Sequence, residues 1–230
     1  MSNPGMRINY KIDRPEPETV EKFRGSAVAN IADVMGRLFA MNNNIRPMGK
    51  SMSICGPAFT VKAAIADNMM FHKALTMARP GDVVVVNACG DTNHSVCGDV
   101  MYRLAEKKGI AGFVVDGSIR DTDYLRENDF PVYAAGVTAR GPYKNGPGEI
   151  NTDIACGGQV IHPGDLIVGD ADGIVVIRKE DLDVVYEKLL AIRQNEVNLT
   201  RLIENDEWDS CAIVKAVEEK IAQQGYEIIK

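Results

Sequence analysis

Three charged residues near the middle of the chain are of types that bind metal ions and organic acids: Asp99, Arg120 and Asp121. The pattern predicts a helix that begins at Asp99 and ends before Gly109, followed by a buried apolar strand over 110–115. Because a helix and the strand after it run in opposite directions, the start of the helix and the end of the strand lie at one edge of the fold. We therefore expect the three side chains to lie close together.

Two carboxylates and a guanidinium at one edge can hold a hard divalent cation together with an anionic ligand. Oxygen-rich sites that retain water suit Mg²⁺ or Mn²⁺ better than Zn²⁺, which prefers nitrogen and sulfur. After Gly98, the free backbone N–H groups of Val100 and Met101 in the first helical turn could bind a carboxylate oxygen. The combination indicates a site for a small organic acid.

Ordinary structural roles explain the same residues. Asp99 could be a helix cap, Asp116-Gly117 a turn, and Arg120-Asp121 a solvated ion pair. Short motifs also arise often by chance. The spacing by itself leaves both interpretations open.

The composition of the 230-residue chain narrows its class. Its content of 45% hydrophobic residues and 21 glycines predicts one substantial α/β domain with helical appendages. A net charge of −6 and a pI near 5.2 argue against a nucleic-acid partner. The N-terminus has no signal-like apolar region, and no stretch approaches the roughly 20 apolar residues of a membrane span, so we expect a soluble, cytoplasmic protein without a membrane partner.

The five cysteines are an odd number and form no C-x-x-C pair. They predict buried free thiols rather than a disulfide framework or a zinc site. A catalytic Cys97, close to the central site in sequence, is a lesser alternative.

Two further candidates share one face of a helix predicted over 67–78. Asn68 and His72 are four residues apart, so they project from the same side. A helical histidine is more often a packing or capping group than a ligand. Asp33, in a helix predicted over 26–38, is most simply a solvated acid.

The segments around these helices are predicted from their turn residues. Residues 87–96 read as a polar loop, and the glycine- and proline-rich residues 138–150 are long enough for a lid or an intersubunit contact. Residues 153–177 predict a β-rich block, and helices follow over 179–204 and 210–224. The chain has no G-x-G-x-x-G, P-loop, G-x-S-x-G or H-E-x-x-H motif, which excludes most nucleotide, hydrolase and zinc classes.

These residues resemble the RraA-like family, and within it the class II 4-hydroxy-4-methyl-2-oxoglutarate / 4-carboxy-4-hydroxy-2-oxoadipate aldolases. The specific signature is an Asp, twenty intervening residues and then Arg-Asp, which Asp99 and Arg120-Asp121 satisfy. The resemblance runs from about Ser26 to Ile177 and includes Asp67-Asn68, Pro80-Gly81-Asp82, Gly98-Asp99, Pro163-Gly164-Asp165 and Asp170-Ala171-Asp172-Gly173.

The resemblance implies an α/β fold, the family's β/β/α swivelling-type sandwich with N- and C-terminal helical extensions. It implies a single domain over 1–230, with its core at about 26–177 and a C-terminal helical extension at 178–230. It also implies a homotrimeric ring, often doubled to a hexamer, with active sites between subunits.

The family's site residues carry over to matching positions of this chain. Asp121 would hold Mg²⁺ or Mn²⁺ partly through water, Asp99 would orient metal-bound water, and Arg120 would contact a keto or carboxylate oxygen of the substrate. The Val100 and Met101 amides, beside Gly98, would bind the pyruvyl carboxylate. Asn68 and His72 would line the pocket. The acids Asp33 and Glu196 would reach a neighbouring subunit's site. Asp33 is shorter than the Glu expected there.

The implied reaction is cleavage of a small 4-hydroxy-2-oxo acid through a pyruvate enolate, with metal-bound water as the candidate base. Oxaloacetate decarboxylation shares that enolate and is an expected side activity. No lysine is marked as a Schiff-base former, which favours a class II mechanism. The alternative is a non-catalytic regulator that binds ribonuclease E. Such regulators are shorter, whereas this chain has helical extensions at 16–38 and 179–224, which favours the enzyme.

Overall fold

The computed structural model describes residues 3–227 and residue 229. The chain divides into two compact units, residues 1–186 and 187–230. The elements are, in chain order, α1 (Pro17–Phe23), α2 (Val28–Val34), β1 (Arg46–Pro47), β2 (Ile54–Ala63), α3 (Met69–Met77), β3 (Val83–Ser95), α4 (Asp99–Lys107), β4 (Gly112–Ile119), α5 (Thr122–Glu127), β5 (Val132–Val137), β6 (Gly148–Ile150), β7 (Ile154–Cys156), β8 (Gln159–Ile161), β9 (Leu166–Asp170), β10 (Gly173–Ile177), α6 (Leu182–Glu204) and α7 (Ala212–Gln224).

Four parallel strands form the centre of an eight-stranded sheet in the first unit. β2 pairs with β3, β3 with β4 and β4 with β5, all in parallel, within the strand order β1-β5-β4-β3-β2-β9-β10; β6 pairs with β2. The valine run that opens β3 is fully buried. A continuous apolar run of this kind is typical of a strand covered on both faces.

A helical layer covers one face of this sheet and a β layer covers the other. On the helical side, Phe71 of α3 packs against Phe113 of β4, with ring centroids 4.9 Å apart. On the opposite side, alternate residues of the same strands pack against the separate β7–β8 pair, including Ile154, and against the β9–β10 end of the sheet itself, including Ile174. The predicted α/β sandwich with two β layers and one helical layer is confirmed, with helices at both chain ends.

Two predicted connections are strands instead. β4 continues through Asp116-Gly117, which the sequence predicts as a turn, and β3 continues to Ser95 through the predicted loop 87–96. The sequence does not reveal these strand ends, because bulges interrupt the β3–β4 register after Asn87 and Asp91. Most of this end of β3 is also not buried, so it lacks the apolar pattern of a strand. The predicted helix over 26–38 is shorter and ends where Gly36 and Arg37 adopt left-handed backbone.

The second unit contains most of α6, together with α7. The Cys211 Sγ caps α7 by accepting a hydrogen bond from the Val214 N–H, and Gly225, with φ 72°, ends the helix. These elements confirm the two predicted C-terminal helices. In the part of the chain that the structure describes, no helix is both long and apolar enough to cross a bilayer.

Candidate active site

The start of α4 meets the end of β4, as the sequence predicts. Asp121 Oδ2 accepts a hydrogen bond from the Asp99 N–H at 3.1 Å and lies 3.4 Å from Arg120 Nε. Gly98 makes this approach possible, because a Cβ at that position would lie 2.2 Å from Asp121 Oδ2. The expected proximity of the three charged residues is therefore confirmed.

Buried groups fix the backbone that carries Arg120 and Asp121. The hydroxyl of the buried Tyr102 donates to the Arg120 carbonyl at 2.8 Å, and the Arg120 N–H donates to the Cys97 carbonyl at 3.1 Å. Asp121 itself has left-handed backbone, with φ 58° and ψ 42°. Such backbone costs a non-glycine residue about 1–3 kcal/mol, so the surrounding contacts must hold Asp121 in this conformation.

A cavity of about 180 Å³ opens beside these residues. A cavity of this size can hold a small organic acid. The lining residues are Asn68, His72, Cys97, Gly98, Asp99, Val100, Met101, Arg120, Asp121, Pro142 and Lys144.

A second cavity, of about 300 Å³, is also lined by Arg120 and Asp121. Val137, Thr138 and Ala139 complete its lining. The two charged side chains therefore line both cavities. The start of α4 also lines the first, and the end of β5 also lines the second.

Only one of the two backbone amides expected to bind a carboxylate is available. The Met101 N–H donates to the Gly98 carbonyl at 2.9 Å, so the expectation of a free Met101 amide is wrong. The first turn of the helix tightens here into a hydrogen bond three residues apart, which satisfies an amide that an ideal helix leaves open. The Val100 N–H has no hydrogen-bond partner among the residues described, and Val100 is exposed.

Asn68 and His72 form a polar wall of the cavity. Asn68 is 3% exposed; its Nδ2 donates to the Val96 carbonyl at 2.9 Å, while its Oδ1 has no partner within the described residues. Burial, and secondarily the positive charge of Lys144, lower the pKa of His72. The wall therefore offers a buried carbonyl oxygen and a neutral imidazole, both able to accept a hydrogen bond.

The carboxylates at this site fit a hydrated hard cation better than a cation held wholly by protein. Asp99 and Asp121 are close, and Asp99 Oδ2 also lies 3.6 Å from Arg103 Nε. Across residues 3–227 and 229, no group of three or more His, Cys, Asp or Glu side chains could hold a metal ion. Mg²⁺ is often bound through one or two carboxylates, with water and substrate oxygens as its other ligands, so this donor set fits Mg²⁺ or Mn²⁺ and not Zn²⁺.

The two candidate intersubunit acids lie elsewhere. Asp33, on α2, does not line the cavity, and its carboxylate is 2.8 Å from Arg37 Nε, as suits a solvated helix acid. Glu196 lies on α6 in the second compact unit. Their reach to a neighbouring subunit's site stays a prediction.

Cys97 lines the cavity but is a poor nucleophile. Burial raises the pKa of its thiol to about 12, so the thiolate is scarce near neutral pH. All five cysteines are free, as expected, although Cys89 is exposed. Sequence analysis missed Pro142 as a lining residue, because a loop sequence carries no signal of what it packs against.

Comparison with known proteins gives the chain a family context. The model of a family described as RraA-like (Aldolase/RraA) matches residues 28–176. A protein of Halalkalibacterium halodurans named "Putative 4-hydroxy-4-methyl-2-oxoglutarate aldolase" is 41% identical over 177 residues, which cover 77% of this chain and 84% of that protein.

Solved structures agree on the fold. An uncharacterised protein of Pseudomonas syringae pv. tomato superposes with a TM-score of 0.76 at 23% identity, over 86% of this chain and 93% of that one. Streptomyces coelicolor RraAS2, described as an unusual member of the RNase ES inhibitor RraA family, superposes with a TM-score of 0.72 at 28% identity, over 82% and 99% of the two chains.

Proposed function

The chain belongs to the RraA-like (Aldolase/RraA) family, and we propose that it is a divalent-metal-dependent class II aldolase. The proposed substrate is a 4-hydroxy-2-oxo acid of the 4-hydroxy-4-methyl-2-oxoglutarate or 4-carboxy-4-hydroxy-2-oxoadipate type, cleaved to pyruvate and a second oxo acid. One observation carries the proposal: the Asp121 carboxylate, the Arg120 guanidinium and the start of α4 converge on a single small cavity. The name of the 41% identical relative supports it.

Val100 and Arg120 would bind different oxygens of the pyruvyl half of the substrate. The Val100 N–H, at the positive end of α4, would bind the carboxylate. Arg120 would donate to the 2-oxo oxygen, where negative charge develops during cleavage. The distal half would enter the second cavity, which Arg120 and Asp121 also line.

Asp121 and Asp99 would hold Mg²⁺ or Mn²⁺ with the help of water, as the donor set indicates. When bound, the ion supplies Lewis-acid polarisation of the 2-oxo group. Asp121 Oδ2 also accepts from the Asp99 N–H, which fixes this oxygen and leaves Oδ1 as the one that would bind the ion.

Cleavage requires the C4 hydroxyl to lose its proton while the C3–C4 bond breaks. C4 becomes a carbonyl carbon, and the electron pair passes to C3 and, by conjugation, to the C2 oxygen as the pyruvate enolate. Arg120 stabilises that oxygen, and protonation at C3 yields pyruvate. The neutral ring nitrogen of His72 can hold the transferred proton, and Asn68 Oδ1 can accept a hydrogen bond from a substrate hydroxyl.

Loss of carbon dioxide from oxaloacetate breaks the corresponding C3–C4 bond and leaves the same enolate. The same Arg120 contact would stabilise it. Oxaloacetate decarboxylation is therefore the proposed side activity.

The protein is also proposed to form a homotrimer or a homohexamer. Support comes from apolar side chains exposed on the second unit, among them Val197, Ile203 and Val217. Light scattering of the purified protein measures the assembly directly. A monomer at working concentration would contradict this part of the proposal.

The competing function is that of a non-catalytic protein-binding regulator. The 28% identical Streptomyces coelicolor relative, described as belonging to an RNase ES inhibitor family, supports it. An activity assay separates the two functions, because a regulator needs no metal-dependent turnover.

The decisive assay measures pyruvate release from 4-hydroxy-4-methyl-2-oxoglutarate and from oxaloacetate, coupled to lactate dehydrogenase. Activity should require Mg²⁺ or Mn²⁺, disappear with EDTA and fall at least about 100-fold in Asp121→Ala. Asp123→Ala is the matched control, since that neighbouring carboxylate is exposed and pairs only with Arg126 among the contacts described. A folded oligomer that turns over neither substrate with either metal would favour the regulator.

A further inference from the structure

Asp67 is a buried carboxylate that takes no part in the proposed chemistry. It is 4% exposed and precedes α3. Its Oδ1 accepts from the Met69 N–H at 2.9 Å, while its Oδ2 accepts from the N–H groups of Asn145 at 2.5 Å and Gly146 at 3.0 Å. One side chain therefore joins the start of α3 to a loop almost eighty residues later in the chain.

Backbone hydrogen bonds place residues 143–146, here called the docked segment, beside residues 66–68. The Asn68 N–H donates to the Tyr143 carbonyl at 3.0 Å, and the Tyr143 N–H donates to the Ala66 carbonyl at 2.7 Å. The docked segment has little burial of its own, and Tyr143 is 63% exposed. Its position consequently depends on these few polar contacts rather than on core packing.

The docked segment carries one of the residues that line the cavity. This residue is Lys144, which lines the cavity together with Asp99 and Asp121. Four hydrogen bonds hold the segment, through Tyr143 on one side of Lys144 and through Asn145 and Gly146 on the other, so docking restricts where the lysine backbone can lie.

We propose that Asp67 is a positioning residue whose carboxylate docks residues 143–146 and thereby holds the Lys144 ammonium at the cavity, as a counter-charge for an anionic ligand. Only the consequence for substrate binding rests on the proposed aldolase function. The docking itself concerns the free protein and can be tested without turnover.

His72 provides a readout of where Lys144 lies. The charge of Lys144 is, after burial, the second cause that lowers the His72 pKa. If the segment undocks, Lys144 moves into solvent, and the His72 pKa should rise toward its ordinary value. Nitrogen-15 NMR titration follows this change, and His72→Gln identifies its signal among the three histidines.

Asp67→Asn is the principal variant. An amide has one acceptor oxygen, and its NH₂ group would face backbone N–H donors, so it cannot satisfy both α3 and the docked segment. Each charge-assisted hydrogen bond lost weakens docking by about tenfold or more. We expect the His72 pKa to rise and the KM for 4-hydroxy-4-methyl-2-oxoglutarate to increase about tenfold, with a smaller change in kcat.

Asp170→Asn is the matched control. The Asp170 carboxylate also accepts two backbone N–H groups, from Val28 and Asp172, both at 2.9 Å, but none of these residues lines the cavity. This variant should leave the His72 titration and KM unchanged. Asn145→Pro breaks the docking from the loop side without touching α3, and it should reproduce Asp67→Asn if that variant folds poorly.

Lys144→Met completes a double-mutant cycle. It should raise the His72 pKa alone, and adding Asp67→Asn should raise it no further, because the two changes act through one charge. The inference is overturned if Lys144→Met raises the His72 pKa while folded Asp67→Asn and Asn145→Pro do not. Absence of turnover in the wild-type protein would contradict the aldolase proposal and leave this NMR test intact.

Discussion

Replacing Gly98 by alanine would insert a methyl group between the start of α4 and the Arg120-Asp121 pair. The new Cβ would lie 2.2 Å from Asp121 Oδ2 and 3.1 Å from Arg120 Nε. Contacts below 3.0 Å are essentially never made by real Cβ atoms. The carboxylate must therefore retreat by roughly 1 Å, and a displacement of that size at a reacting centre can cost about 100-fold in rate. We expect kcat/KM to fall about 100-fold.

The stability of Gly98→Ala should change much less than its activity. The side chains of Arg120 and Asp121 are 46% and 39% exposed, so both can move toward solvent. Gly98 has φ −158°, which alanine also adopts. Alanine is a poorer helix cap than glycine by about 1 kcal/mol or less, so Tm should fall by only a few degrees.

Gly169→Ala is the matched control for the added methyl group. Its Cβ would lie 2.6 Å from Ile54 Cγ2 in the core and would not reach the cavity. Overpacking of this kind costs about 1–3 kcal/mol, so Tm should fall while kcat/KM is kept at temperatures well below Tm. Thermal unfolding and the coupled pyruvate assay give both quantities. Wild-type kcat/KM in Gly98→Ala would refute the idea that Asp121 must stay in contact with the Asp99 amide.

Two further variants test the support of the site and the pH dependence of the fold. Tyr102→Phe removes the hydroxyl that donates to the Arg120 carbonyl, and urea unfolding should show a loss of about 1–3 kcal/mol together with a reduced kcat. Burial raises the pKa of Asp165 to about 7 from its ordinary 3.8, although Arg178 Nη1 lies 3.3 Å away. Since the folded state holds this proton more tightly, stability should decline as pH rises from about 4 to about 7, and Asp165→Asn should remove that part of the decline in unfolding experiments at several pH values.

The approach of Asp99 to Arg120 and Asp121 could be predicted because it follows from local topology. A helix and the strand after it reverse direction, so the residues at their far ends meet whatever the rest of the fold does. The covered β3 valine run and the C-terminal helices were predictable for a similar reason, since their apolar pattern matches one secondary structure. The free cysteines followed from their number and spacing.

Sequence patterns failed where pairing with distant residues overrides local preference. Asp116-Gly117 is a common turn dipeptide, yet β4 passes through it because both residues pair with β3, and β4 pairs with β5 at Val115 and Ser118 on either side of the dipeptide. The Met101 amide looked free because its hydrogen bond depends on how tightly the first turn of α4 winds.

The sequence by itself determined the family and the charged residues Asp99, Arg120 and Asp121 of the site, because both can be recognised from residue types at a fixed spacing. Tertiary structure decided which residues complete the cavity. Lys144 lines it from a loop whose next two residues, 145 and 146, are bound through their backbone by Asp67, almost eighty residues earlier in the chain. A hydrogen bond between distant segments leaves no periodic pattern in either one, so only the folded chain reveals it.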